Sequence, residues 1–371
     1  MIATPDIEQA MPTVEAAAAD VDAKGTFPRA SIQALAEAGL LGLASSSDVG
    51  GGGQGMRAAA AVIERLARSC ASTAMVTTMH YCATAVLEAH GPEAVRREIA
   101  AGRHLTTLAF SEVGSRSQFW APLSTAVPAD GSSVRLTADK SWVTSAGEAD
   151  SYVWSSRPVA ADGASTIWLV PASSPGLELA GEFDGLGLRG NASRPMRARD
   201  VAVGADGRLG PDGGGFDVMM GVVLPWFQVL SAACSLGIAE TAIARTAAHA
   251  TAIRYEHLGQ TLADQPTNRA SIARMRLAAD GARGLLLDTL SAIEGGREDA
   301  MLRVLEVKPA GSEAALAVTD LAMRVCGGAA FRKEVGVERC FRDARAASVM
   351  APTTDALYDF IGRAVCGLPM F

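Results

Sequence analysis

A chain of 371 residues is long enough for two or three structural units with a large buried core. Its 49% apolar content excludes wholesale disorder, and its 38 glycines follow no Gly-X-Y period. A net charge of −7 with only 5% aromatics argues against a nucleic-acid surface, and six scattered cysteines without a CxxC pair exclude a zinc ribbon or disulfide framework and fit a reducing cytosol.

The N-terminus is acidic and Ala-rich, with no basic stretch leading into an apolar one, so no signal peptide is expected and the chain reads as cytoplasmic. Residues 1–105 read as an all-α domain. Phe27-Pro28 opens SIQALAEAGLLGL, whose Ile32, Leu35, Ala36, Leu40 and Leu43 fall on one helical face. Ser45 to Gly53 breaks it. Helices are predicted over MRAAAAVIERLARSC, over about residues 72–89, and over EAVRREIAAG after Gly91-Pro92.

Residues 106–210 change period. TTLAF, SVRLT, SYVWSS, STIWLV and RARDVAV alternate with Ala-Asp-Gly turns, which predicts a middle antiparallel β-sandwich or barrel rather than a βαβ fold. Residues 211–371 return to helix as a four-helix-bundle-like all-α domain, making the fold class α+β. Asn268 is predicted to cap a helix along which Ile272, Met275, Ala279, Ala282, Leu286, Leu290 and Ile293 recur at three- and four-residue steps. A further helix ends at Gly327-Gly328, and the last follows Pro352-Thr353-Thr354-Asp355. Val218 to Ala239 is uncharged over a membrane-spanning length, but Pro225, Gln228, two serines and the acidic flanks Asp217 and Glu240 favour a buried bundle helix, so no membrane is expected.

Six segments in order resemble the acyl-CoA dehydrogenase superfamily over nearly the whole chain: FPRASIQALAEAGLLGL with SSDVGGGG, LAFSEVGSRS, DKSWVTSAGEADSYV, GLGLRGNAS, RVCGGAAF, and VERCFRDAR. The resemblance implies FAD held between the β-domain and the C-terminal helices, an acyl-CoA substrate, an electron acceptor whose identity the sequence leaves open, and a homotetramer or dimer. It places Trp142 on the flavin ring, Thr144 near flavin N5, Ser111 against the ring, Ser117 near substrate or pyrophosphate, and Gly327 and Gly328 where a neighbouring subunit's backbone approaches the adenosine side. Arg254, beside Tyr255 where the family has an arginine, Arg324, where it has a glutamine, and Thr353 are the remaining cofactor candidates. Taken alone, Trp142 reads first as a core aromatic in a strand, Thr144 as a strand residue and Gly327-Gly328 as well as a simple helix stop. His80 and His257 read as structural or surface residues.

The resemblance breaks at the reacting centre. The family's dehydrogenation removes an α-proton with a carboxylate, and the register after Arg-Asp-Ala-Arg puts Ala351 there; the alternative base position in the long helix falls on Phe227. Loss of a positioned base lowers a rate by about 10²–10⁴. Asp355, one helical turn past Ala351, is the candidate displaced base and equally a helix N-terminal residue beside the capping Thr353; Glu112 is a family glutamate that is not used as the base. Three functions follow: oxidation of an acyl thioester at Cα–Cβ, a monooxygenase on the same fold that needs no such carboxylate, or a catalytically silent flavin or acyl-CoA binder.

Overall fold

The computed structural model describes residues 6–115, 118–130 and 132–369. By contacts the chain forms two compact units. One holds the chain up to Val62, Ser72–Gly185 and Arg189–Phe227; the other holds Ile63–Ala71, Leu186–Leu188 and the chain from Gln228 onward.

The first unit opens with α1 (Met11–Lys24), α2 (Arg29–Glu37) and most of α3 (Met56–Ala67), α4 (Ala71–His90) and α5 (Glu93–Ala100). Helix α2 is shorter than its apolar spacing predicts. Gly39 turns left-handed at φ +72° and the Leu40 N–H reaches back to the Leu35 carbonyl, closing the helix with a glycine turn. Leu40, Leu41 and Leu43 are still buried, so the apolar signal reported burial correctly and helix length incorrectly. The glycine loop after it is tight: a Cβ on Gly51 would stand 2.4 Å from the Ser45 Cβ.

Among the described residues eight strands follow in this unit: β1 (Thr106–Ala109), β2 (Thr125–Pro128), β3 (Val134–Val143), β4 (Ser151–Ser156), β5 (Thr166–Pro171), β6 (Leu177–Leu179), β7 (Arg194–Val203) and β8 (Arg208–Leu209). They make two four-stranded sheets, ordered β1-β4-β5-β8 and β2-β3-β7-β6. In β3 buried and exposed residues alternate, whereas β4 is buried throughout. The β-sandwich reading holds with one correction: β1 pairs with β4 in parallel, Thr106 opposite Ser151. The chain leaves that sheet to build β2 and β3 in the other and returns in the same direction.

After the sheets come α6 (Gly215–Val218), a π-helical turn (Met219–Val223) and α7 (Leu224–Ala252). Pro225 lacks an N–H to continue a regular ladder there, which accounts for the wide turn. By length and composition 215–252 could cross a bilayer, but its most apolar 18-residue window is 89% buried in the protein. In the second unit, the hairpin strands β9 (Arg254–Tyr255) and β10 (Gln260–Thr261) precede α8 (Pro266–Glu294), α9 (Ala300–Cys326), α10 (Val337–Val349) and α11 (Thr354–Val365). Pro266 takes the first position of α8 and Gln265 is its cap. Asn268 therefore lies inside the first turn, its amide donating to the Leu262 carbonyl at 2.8 Å, rather than capping the helix. Met275, Ala279, Ala282, Leu286 and Leu290 are buried as the spacing predicts.

Candidate functional site

In the first unit the LAFSEVGSRS and DKSWVTSAGEADSYV segments lie side by side. The Ser141 N–H donates to the Ser111 carbonyl at 3.0 Å, and Glu112 bridges Lys140 in antiparallel register. Beneath this crossing is a buried ion pair. The Lys140 Nζ donates to Glu112 Oε1 at 2.5 Å and to the Ser155 carbonyl and hydroxyl at 2.9 and 3.0 Å, and lies 5.2 Å from the Trp154 ring centroid. Glu112 also accepts from the backbone N–H groups of Leu123 and Ser124 and from the Ser124 hydroxyl. Burial pulls Lys140 down to about 8 against the opposing pull of Glu112. The pair fixes two segments that share no sequence neighbourhood.

On the outer side of this crossing, Trp142 is 62% exposed and touches Phe183 edge-on. Thr144 is buried one strand step further and Ser111 is half-buried. An indole this exposed, with two hydroxyl-bearing residues near it, suits a planar heteroaromatic ring that stacks and accepts hydrogen bonds; the residues fit a flavin. Ser117 lies outside the described residues. The next residues join this platform to the GLGLRGNAS loop. Ser145 takes φ +61°, its N–H donates to the Asn191 carbonyl at 2.9 Å, and the Ala146 N–H donates to the Ala192 carbonyl at 3.1 Å. Gly190 has no room for a side chain, since a Cβ would meet the Val21 Cγ1 at 2.3 Å.

In the second unit the same loop's Leu188 N–H donates to Asp343 of FRDAR at 2.7 Å, and Arg342 donates to the Leu186 carbonyl at 3.1 Å. Arg324, Gly327 and Gly328 are exposed at the C-terminal end of α9, and Gly327 holds φ +57°, ψ −140°, a conformation open only to glycine. Arg254 is exposed on the β9–β10 hairpin, donating to the Gly259 carbonyl at 3.2 Å. It is on a different element from Arg324 and the two glycines.

Ala351 is half-buried between α10 and α11. Thr353 caps α11, its hydroxyl accepting from the Ala356 N–H at 3.3 Å, and Asp355 is an exposed acid of the first turn. Sequence reasoning missed Lys308 and Ser312 on α9, which grip this segment: the Lys308 Nζ donates to the carbonyls of Met350 and Pro352 at 2.9 and 2.7 Å. A lysine inside the apolar run RVLEVKPAGSEAALAV was the available signal. Also missed was Gln228, next to Phe227, whose buried amide has no hydrogen-bond partner among the described residues. His80 is a core residue, its Nε2 donating to the Leu41 carbonyl and its Nδ1 accepting from the Thr106 N–H, with burial pushing it down to about 4. His257 is exposed on the hairpin. Among the described residues no cluster of His, Cys, Asp or Glu could hold a metal.

The fold and this platform define a flavoprotein built in an α–β–α order. Family models for the acyl-CoA dehydrogenase N-terminal, middle and C-terminal domains match residues 8–102, 107–201 and 213–366. The chain is 30% identical to the short-chain specific acyl-CoA dehydrogenase of Bos taurus mitochondria over 91% of its length and 82% of that protein. Its fold matches the butyryl-CoA dehydrogenase of Megasphaera elsdenii at a TM-score of 0.90, with 22% identity over 97% of each chain. It also matches the dibenzothiophene monooxygenase of Paenibacillus at 0.86, with 20% identity over 98% and 97%. The chain belongs to the acyl-CoA dehydrogenase family, and is an FAD-dependent, acyl-CoA dehydrogenase-like flavoenzyme.

Proposed function

We propose that the protein oxidises an acyl-CoA thioester at Cα–Cβ and passes the electrons to an acceptor protein or molecule. The supporting observation is the outward-facing Trp142 platform braced by the buried Glu112–Lys140 pair, in a chain of this family. Bound FAD supplies the hydride acceptor. Trp142 stacks on the ring, and Ser111 and Thr144 orient it through their polar groups. Arg254, Arg324 and Thr353 contribute positive charge or hydrogen bonds to the remainder of the cofactor, and Ser117 serves the substrate or pyrophosphate end. Asp355 is the carboxylate offered for the α-proton in place of Ala351. Asp355→Asn should keep its flavin and lose turnover; unchanged turnover makes Asp355 a helix-start residue only.

Exposed Phe331 and the open backbone at Gly327-Gly328 support a homotetramer or dimer, which sedimentation tests. We place the protein in the cytoplasm, which fractionation tests. The alanine at position 351 favours a second reading, in which externally reduced flavin activates O₂ and no carboxylate base is needed. An anaerobic titration separates the two. Bleaching of the flavin by an acyl-CoA supports dehydrogenation; no bleaching, with one oxygen atom of O₂ found in an organic product when reduced flavin is supplied aerobically, supports the monooxygenase.

A further inference from the structure

The buried face of α9 is mostly apolar, but Lys308 and Ser312 interrupt it four residues apart and thus one above the other. Both reach residues more than forty positions later in sequence. The Lys308 Nζ holds the carbonyls of Met350 and Pro352, and the Ser312 Oγ lies 3.3 Å from the Thr354 hydroxyl. Residues 350–352 lie between α10 and the cap of α11, and the carbonyls of Met350 and Pro352 accept from Lys308 there. The root of the clamp is rigid. Gly311 lies between the two rungs, and a Cβ there would stand 3.0 Å from the Ala232 Cα, so α9 is pressed against α7 at this turn. Ser312 also donates to the Pro309 carbonyl at 3.0 Å. The ammonium is wholly buried, and burial pushes it down to about 7. A buried amino group in a core helix is expensive unless it is hydrogen-bonded, as this one is to Met350 and Pro352.

We propose that Lys308 is a positioning residue, whose two hydrogen bonds set the backbone of residues 350–354 and so aim position 351 and the Thr353 hydroxyl. This rests on the reading that position 351 is where the family's proton acceptor stands. Lys308 does not touch the reacting atoms; it acts through the segment it holds.

Three variants test it: Lys308→Met, Ala351→Glu and the two combined. Lys308→Met should raise amide hydrogen exchange at residues 353–358 about tenfold, the consequence of losing two buried hydrogen bonds, while α8 exchanges as before. This readout needs neither cofactor nor substrate. Ala351→Glu should raise the rate of anaerobic flavin bleaching by about 10²–10⁴, the usual worth of a positioned base. In the combined variant that gain should fall at least about tenfold, in kcat and not KM, with FAD still bound. Lys308→Arg keeps the charge and donors but displaces them, so it should fold, raise exchange at 353–358 and lower kcat in the Ala351→Glu background; it carries the test if Lys308→Met does not fold. Wild-type exchange at 353–358 in a folded Lys308 variant overturns the proposal, as does a combined variant that keeps the full gain. A failure of Ala351→Glu alone to raise bleaching overturns the reading of position 351, and the exchange result then still decides on Lys308.

Discussion

Replacing Lys140 with methionine keeps an unbranched side chain of nearly the same reach and removes its ammonium, with the charge and the donors. The Glu112 carboxylate, 3% exposed, then loses its cation but keeps the N–H groups of Leu123 and Ser124 and the Ser124 hydroxyl. Removing one partner of a buried pair costs about 3–5 kcal/mol; with three donors left, the lower end, about 3 kcal/mol, is expected. Glu112→Gln leaves Lys140 with Ser155, the Trp154 ring and a neutral amide oxygen in place of the carboxylate. Burial opposes the charged form of that lysine, so losing the carboxylate costs about 1–3 kcal/mol. In the double variant no charge remains and the loss should be about 1–2 kcal/mol, giving a coupling of roughly 2–5 kcal/mol. All five tryptophans precede Gln228, in the same compact unit as the pair, so urea unfolding followed by tryptophan fluorescence reads this unit. Single-variant losses that add to within about 0.5 kcal/mol in the double variant would show that the two side chains do not act as a pair.

Gly187 packs against the Arg342 carbonyl, where a Cβ would stand 2.4 Å away; Gly187→Ala should cost about 1–3 kcal/mol and show as a lowered melting temperature, whereas Gly284→Ala, which meets nothing within 4 Å in the middle of α8, should stabilise slightly. Thr353→Ala should cost about 1 kcal/mol by removing the α11 cap, measured by urea unfolding followed by circular dichroism; no loss would mean the Ala356 N–H does not depend on that hydroxyl. Hydrogen bonding from Arg276, reinforced by Arg283, holds Glu240 down to about 2 against an ordinary value near 4.5. Its contribution is complete above the ordinary value and is lost as the pH falls toward 2, at most about 3 kcal/mol for 2.5 units. Glu240→Gln should therefore flatten the acid limb of the helical circular dichroism signal between pH 5 and 2; an unchanged limb places acid sensitivity elsewhere.

What the sequence revealed was local. Helix-period spacing located the helices, turn residues separated the main strands, and the segments around Trp142, Asp343 and Gly327 kept their order, because each of these signals is written within a few residues. What it hid was non-local or overruled. The parallel β1–β4 pairing joins strands separated by two strands of the other sheet, and Lys308 meets partners more than forty residues away, so neither has a spacing to read. Strands β6 and β8 are too short for a period, at three and two residues. Asn268 lost the cap of α8 because Pro266 is better suited to the first helical position. The site shows the same division. The motifs offered Trp142, Thr144 and Ser111 as candidates, but the buried Glu112–Lys140 pair beneath them became visible only when the two segments were seen to cross.

The central claim, an FAD enzyme that oxidises an acyl thioester, is tested most directly by adding acyl-CoA esters of graded chain length to the purified protein without oxygen and recording its visible spectrum. A yellow protein is expected whose flavin absorbance falls on adding at least one ester, with an enoyl-CoA formed in equal amount. A yellow protein that no acyl-CoA bleaches would contradict it.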